Sequence, residues 1–181
     1  MTWVDRATPG VAALFDGLVK DRCHSVLDLG QADDSSLTVY GRFARRMRFA
    51  DLLSASATGG WTTALAAVPE QPELPYDLVL AWDVLDRLPP EARPLLVARL
   101  AEVGSAHARV HLMVDASQRT TAPPLRFSLL DVNVMRWQPT GPPRPRWPQL
   151  LPAEVERVLR PFVVVRGFTS NADMREYVAV R

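Results

Sequence analysis

Ser25-Val26-Leu27-Asp28-Leu29-Gly30-Gln31-Ala32-Asp33-Asp34-Ser35-Ser36-Leu37 begins as an apolar run and passes through a glycine into a polar turn. Ser25 to Leu29 predicts a short buried strand. From about Ser36 to Arg45 the pattern predicts a helix capped by Ser35 or Ser36, with Leu37, Tyr40, Ala44 and Met47 on its inner face. In an open α/β sheet, a first strand that turns at a glycine into a helix forms the wall of a ligand crevice. The helix N-terminus there offers unpaired N–H groups and a partial positive charge.

Upstream, Thr8-Pro9 supplies a capping hydroxyl and a proline suited to a first helical turn. Val11, Leu14, Phe15, Leu18 and Val19 then fall on one helical face. Downstream, a second strand is predicted near Met47 to Ala50, ending at Asp51; its arginines Arg46 and Arg48 place it near a sheet edge. Thr58 to Val68 reads as a helix with Trp61, Leu65 and Val68 inward. Pro69, Pro72 and Pro75 then leave little room for a paired central strand. Tyr76 to Trp82 is a second clearly buried strand, followed by Asp83. Pro89-Pro90-Glu91 opens a helix with Leu95, Leu96, Leu100 and Val103 inward, and Arg109 to Val114 is a strand ending at Asp115.

Residues 116–150 read as irregular and proline-rich, with Leu125 to Trp137 able to hold a short strand or hairpin. Pro152-Ala153-Glu154 starts a last helix that runs to about Leu159. Phe162 to Phe168 and Arg175 to Val180 are strands joined too closely for a crossover helix, so they must be antiparallel. The alternation predicts an α/β fold: a three-layer sandwich around a Rossmann-like, mostly parallel sheet that closes with an antiparallel hairpin. The chain of 181 residues is expected to form one domain.

Composition narrows the partners. A net charge of +1 gives no strong pull toward nucleic acid or a membrane surface. No apolar run has the length of a membrane span, and the N-terminus lacks a signal-peptide layout, so a cytoplasmic location is expected. Cys23 is the only cysteine; it is expected to be buried rather than reactive, and no internal disulfide can form. His24, His107 and His111 lack metal-ligand spacing.

These residues together resemble the class I S-adenosylmethionine-dependent methyltransferases. Val26-Leu27-Asp28-Leu29-Gly30 matches the family's first motif up to its first glycine, and Asp51 stands where the family places an acid on the ribose hydroxyls. Tyr76 to Pro89 is similar to the family's fourth-strand segment, and the terminal hairpin suits its reversed last strand. The resemblance implies S-adenosylmethionine as cofactor, held by Asp28, Gly30, Asp51, Trp82 and Asp83. It also implies methyl transfer to an acceptor screened by residues 116–150.

Three departures accompany the match. Ala32 and Asp34 occupy positions where the family usually has glycine. A carboxylate at Asp34, about 5 Å from that of the ligand at an effective dielectric near 20, would cost about 3 kcal/mol. The family's third strand is short or missing. Val103-Gly104-Ser105 replaces its usual Pro-Gly-Gly turn. Asp33 and Asp34 either meet a ligand ammonium or cap the helix themselves. Asp51 either binds ribose or is a plain loop carboxylate, and Asp83 either faces a ligand or caps the turn after it. The alternative to an enzyme is an inactive methyltransferase-fold module acting through protein contacts. The segment Arg136 to Trp147 would then be either its partner-binding arm or a packed connection.

Overall fold

A computed structural model describes residues 3–18, 23–70, 73–117, 119–170 and 173–181. In chain order the elements are β1 (Val4–Ala7), α1 (Pro9–Phe15), β2 (His24–Asp28), α2 (Asp34–Tyr40), β3 (Ala44–Phe49), α3 (Leu52–Ala66), β4 (Tyr76–Leu80), α4 (Val84–Arg87) and α5 (Arg93–Val103). They continue as β5 (Gly104–Asp115), β6 (Thr121–Ala122), β7 (Leu125–Asp131), β8 (Val134–Pro139), β9 (Arg144–Pro145), α6 (Pro152–Val158), β10 (Val163–Ser170) and β11 (Met174–Val180). Val19, Pro72, Asn171 and Ala172 lie outside the described residues.

The main sheet has the order β10-β11-β5-β4-β2-β3. β3, β2, β4 and β5 run parallel, and the β10–β11 hairpin joins β5 antiparallel. Side chains alternate across it with the period of two that a pleated strand imposes. Leu27, Val79, Ala81, Val110 and Leu112 pack on one face against α3, α5 and α6. Val26, Leu78, Leu80, Trp82 and Met113 pack on the other against α1, α2 and the β7–β8 hairpin. The expected three layers are present, with a small sheet β1-β8-β7 standing in the second helical layer. β3 is the sheet edge, and among the described residues nothing pairs beyond it, as the prolines between α3 and β4 require. No helix among the described residues is long and apolar enough to cross a membrane.

Five expectations need correction. α2 ends at Tyr40, because a turn at Gly41 returns the chain to the sheet and Ala44 already belongs to β3. Its buried face is Ser36, Val39 and Tyr40, while Leu37 is exposed. Leu95 on α5 is exposed as well, one position outside the stripe of Leu96, Leu100 and Val103. α3 begins directly after Asp51 rather than at Thr58, and bends at Gly60, whose φ of 72° belongs to the left-handed region that glycine alone adopts without strain. Cys23 is exposed, because it precedes β2 rather than entering it.

The proline-rich segment holds more structure than its composition indicates. β7 and β8 form a hairpin, and β1 adds to it from the other end of the chain, pairing Val4 with Trp137 and Asp5 with Arg136.

Candidate functional site

The turn after β2 is built around one carboxylate. Asp28 is 2% exposed, and both its oxygens are engaged. Oδ1 accepts from the Gly30 N–H at 2.8 Å and from Trp82 Nε1 at 2.6 Å; Oδ2 accepts from the Tyr40 hydroxyl at 2.5 Å. Burial pushes this carboxyl up to about 6, against the lowering effect of those three donors. Gly30 sits in close approach: a Cβ on it would stand 3.1 Å from both Asp28 Oδ1 and Trp82 Nε1, tighter than ordinary van der Waals contact. Trp82 adopts φ 48°, an uncommon conformation for a bulky residue, at the end of β4. Its ring stacks on Phe127 with centroids 5.2 Å apart and planes within 1°.

Asp33 is committed to α2. Its Oδ1 caps the helix through the Ser36 N–H at 3.0 Å, and its oxygens also take the Ser35 and Ser36 hydroxyls. Ser36 Oγ in turn accepts from the Leu129 N–H at 2.9 Å, tying the cap to the hairpin. Asp34 is exposed. With neither acid in its lining, a cleft of about 190 Å³ opens beside the turn, bordered by Gly30, Gln31, Asp51, Ser54, Trp82 and Asp83. Of the five residues singled out in the sequence, four line this cleft; Asp28 lies beneath it and organises its floor. Asp51 caps α3 through Oδ1, which accepts from the Ser54 N–H at 3.0 Å. Its Oδ2 has no hydrogen bond among the described residues.

A larger chamber of about 490 Å³ adjoins the cleft, and the two share Leu53, Ala57, Asp83, Pro124, Leu125, Phe127 and Arg144. Asp83, 3% exposed, pairs with Arg87 at 2.5 Å, and burial raises its carboxyl even so. Asp86 on α4 and Asp115 at the carboxyl end of β5 grip the two ends of Arg146 at 2.5 and 2.8 Å. The Arg136–Trp147 segment is therefore packed onto the fold. Arg136 pairs with Asp5 and Arg146 with the two acids, while Trp137 and Trp147 line the chamber. Among the described residues no group of His, Cys, Asp or Glu is placed to hold a metal.

Sequence reading put an acceptor behind residues 116–150 but did not name the chamber's lining, because much of it comes from that segment, read as irregular. Its signal was present in two forms: acids ending consecutive strands, and arginines interleaved with tryptophan and proline at 136–147.

No protein-family model matches the chain, and no curated protein matches it either. Solved structures do. Magnesium protoporphyrin IX methyltransferase from Synechocystis PCC 6803, with bound S-adenosylhomocysteine, superposes with a TM-score of 0.56 at 16% identity, over 94% of this chain and 80% of that one. The chain has the fold of the class I S-adenosylmethionine-dependent methyltransferases. The CcbJ methyltransferase from Streptomyces caelestis shares this methyltransferase fold with a TM-score of 0.55 at 13% identity, over 94% of this chain and 93% of that one. 1,6-Didemethyltoxoflavin-N1-methyltransferase from Burkholderia thailandensis gives 0.51 at 17% identity, over 96% of this chain and 76% of that one. The parallel strands β3, β2, β4 and β5 and the closing antiparallel hairpin are the parts of the methyltransferase fold that frame the cleft.

Proposed function

We propose that this protein is an S-adenosylmethionine-dependent methyltransferase, with the cofactor in the cleft beside Gly30 and the acceptor in the adjoining chamber. The observation that carries the reading is the open cleft itself: the two acids most able to block it are respectively spent on capping α2 and turned to solvent. The penalty argued for Asp34 does not fall on the cleft, because an exposed charge is screened by water.

The residues fit the cofactor. Gly30 keeps the turn tight, since a Cβ there would press on Asp28 and on the Trp82 ring that walls the cleft. Asp51 keeps one oxygen for ribose hydroxyls while the other caps α3. Trp82 is fixed by Asp28 below and by Phe127 at its face, so the wall does not yield. When bound, the cofactor supplies an electrophilic methyl on a sulfonium, which becomes a thioether as the methyl passes to the acceptor's nucleophilic atom. Asp83, on the wall common to both cavities, is placed to receive the proton that the nucleophile releases; its raised carboxyl makes it the better base for it.

Calorimetric titration with S-adenosylmethionine and S-adenosylhomocysteine tests the reading. Micromolar binding is expected. Asp51→Ala should lower affinity at least about tenfold, roughly 1.4 kcal/mol, and lower stability by about 1 kcal/mol through the lost cap. Asp51→Asn keeps the cap, so it should lose affinity alone. No binding at millimolar ligand would overturn the proposal in favour of a non-enzymatic module.

A further inference from the structure

The chamber pairs its charges unevenly. Its four carboxylates are each held by an arginine: Asp83 by Arg87, Asp86 and Asp115 by Arg146, and Asp173 by Arg119 at 3.2 Å. Arg6 lies over the Trp137 ring, 5.3 Å from its centroid. Arg144 is different. It stands on β9, is exposed, lines both cavities, and its guanidinium has no hydrogen bond, ion pair or ring contact among the described residues. The lining therefore carries a cation whose charge nothing among the described residues answers.

The same lining also presents flat, apolar side chains. Trp61, Phe127, Trp137 and Trp147 face the chamber, and Trp147 stays 45% exposed at its mouth. The volume of about 490 Å³ lies in the ordinary range for small-molecule sites. Aromatic walls favour a planar ring that can stack or meet them edge-on. A guanidinium with its donor fork free favours a carboxylate, which it can bind through two parallel hydrogen bonds.

We propose that the chamber takes a planar aromatic carboxylic acid, its ring between the tryptophans and Phe127 and its carboxylate on Arg144. The proposal rests on the reading of the chamber as the acceptor site, and it names the acceptor's chemical class. A neutral ring would fill the same walls but leave Arg144 unanswered. A polyanion would need a run of free cations, and the other arginines of the lining are already paired or stacked.

The test is calorimetry on the full chain with indole-3-acetate and its neutral amide, each with and without saturating S-adenosylhomocysteine. The acid should bind at least tenfold more tightly than the amide. Arg144→Gln should erase that difference and leave the amide's affinity where it was. The variant should fold, since the side chain it replaces is exposed and makes no hydrogen bond or ion pair among the described residues. Equal affinity for acid and amide, or binding of neither in either condition, would overturn the proposal. So would a loss of S-adenosylhomocysteine affinity in Arg144→Gln with the acid preference intact, which would assign Arg144 to the cofactor's carboxylate. Failure of the methyltransferase reading looks different: S-adenosylhomocysteine would not bind at all, while the acid-over-amide preference and its dependence on Arg144 would persist.

Discussion

Asp28 shows how one residue can serve a site at a cost to the fold. Its carboxylate positions Gly30, Trp82 and Tyr40, yet burial raises it to about 6. Its folded pKa thus lies above the ordinary 3.8, so the native state holds the proton more readily than the unfolded chain does. Stability from this group is full at low pH and is lost as pH rises through 6. Between pH 4.5 and pH 8 the loss should amount to about 2 kcal/mol. Asp28→Asn retains an acceptor for Trp82 and Gly30 and cannot ionise. Urea denaturation at the two pH values should therefore show the variant gaining about 2 kcal/mol on the parent at pH 8. Equal pH profiles for the two proteins would show that Asp28 does not titrate in this range. Sequence reading placed Asp28 at the site but not its partners, since Tyr40 and Trp82 reach it from 12 and 54 residues away.

Among the elements, α1 has the most specific attachment. It is a short helix of 7 residues, too short to persist alone, and it is held from its first turn. Glu176 of β11 is fully buried; its Oε2 accepts from the Thr8 hydroxyl at 2.6 Å and the Gly10 N–H at 2.9 Å, with His111 Nε2 at 3.1 Å. Burial raises this carboxyl, but the bonds from His111, Thr8 and Gly10 outweigh it and hold it below its ordinary range. Its contribution therefore runs opposite to that of Asp28, being present at neutral pH and lost as pH falls through its lowered pKa. Gly10 is the point of closest approach: a Cβ there would stand 2.5 Å from Glu176 Oε2 and 2.8 Å from Glu176 Cβ. Gly10→Ala should destabilise the protein by about 2–3 kcal/mol, within the range for overpacking. Hydrogen exchange should locate the loss in α1 and β11. Exchange unchanged in both would mean that the helix is held by its apolar face alone.

For the whole molecule, Arg146 joins the proline-rich segment to the carboxyl ends of the sheet. Its side chain is 9% exposed and lies between Asp86 and Asp115. Removing it strands Asp86, whose carboxyl burial already raises. Arg146→Met should cost about 3–5 kcal/mol, the penalty for breaking a buried pair from one side. Combining it with Asp86→Asn should recover part of that cost, because the stranded charge is gone. Chemical denaturation of the single and double variants reads both values. A fully additive loss would show that the two residues do not act as a pair.

Periodic burial and local chemistry carried much of the architecture in one dimension. Apolar runs named β2, β4, β5 and the closing hairpin; Thr8-Pro9 marked the start of α1, and prolines left little room for a strand before β4. These signals were legible because each depends on residues only a few positions apart. The same locality set Gly30 and Asp51 at strand ends, where crevices form in such sheets. What the chain order could not show is who meets whom across long separations. β1 pairs with β8 some 130 residues away, and Arg146 finds Asp86 from 60 residues away. Those meetings fold the proline-rich segment over a chamber and leave Arg144 with no counter-charge among the described residues. Pairing of side chains in space, rather than their kind or spacing, decides which charges remain for a ligand, and pairing exists only once the chain has folded.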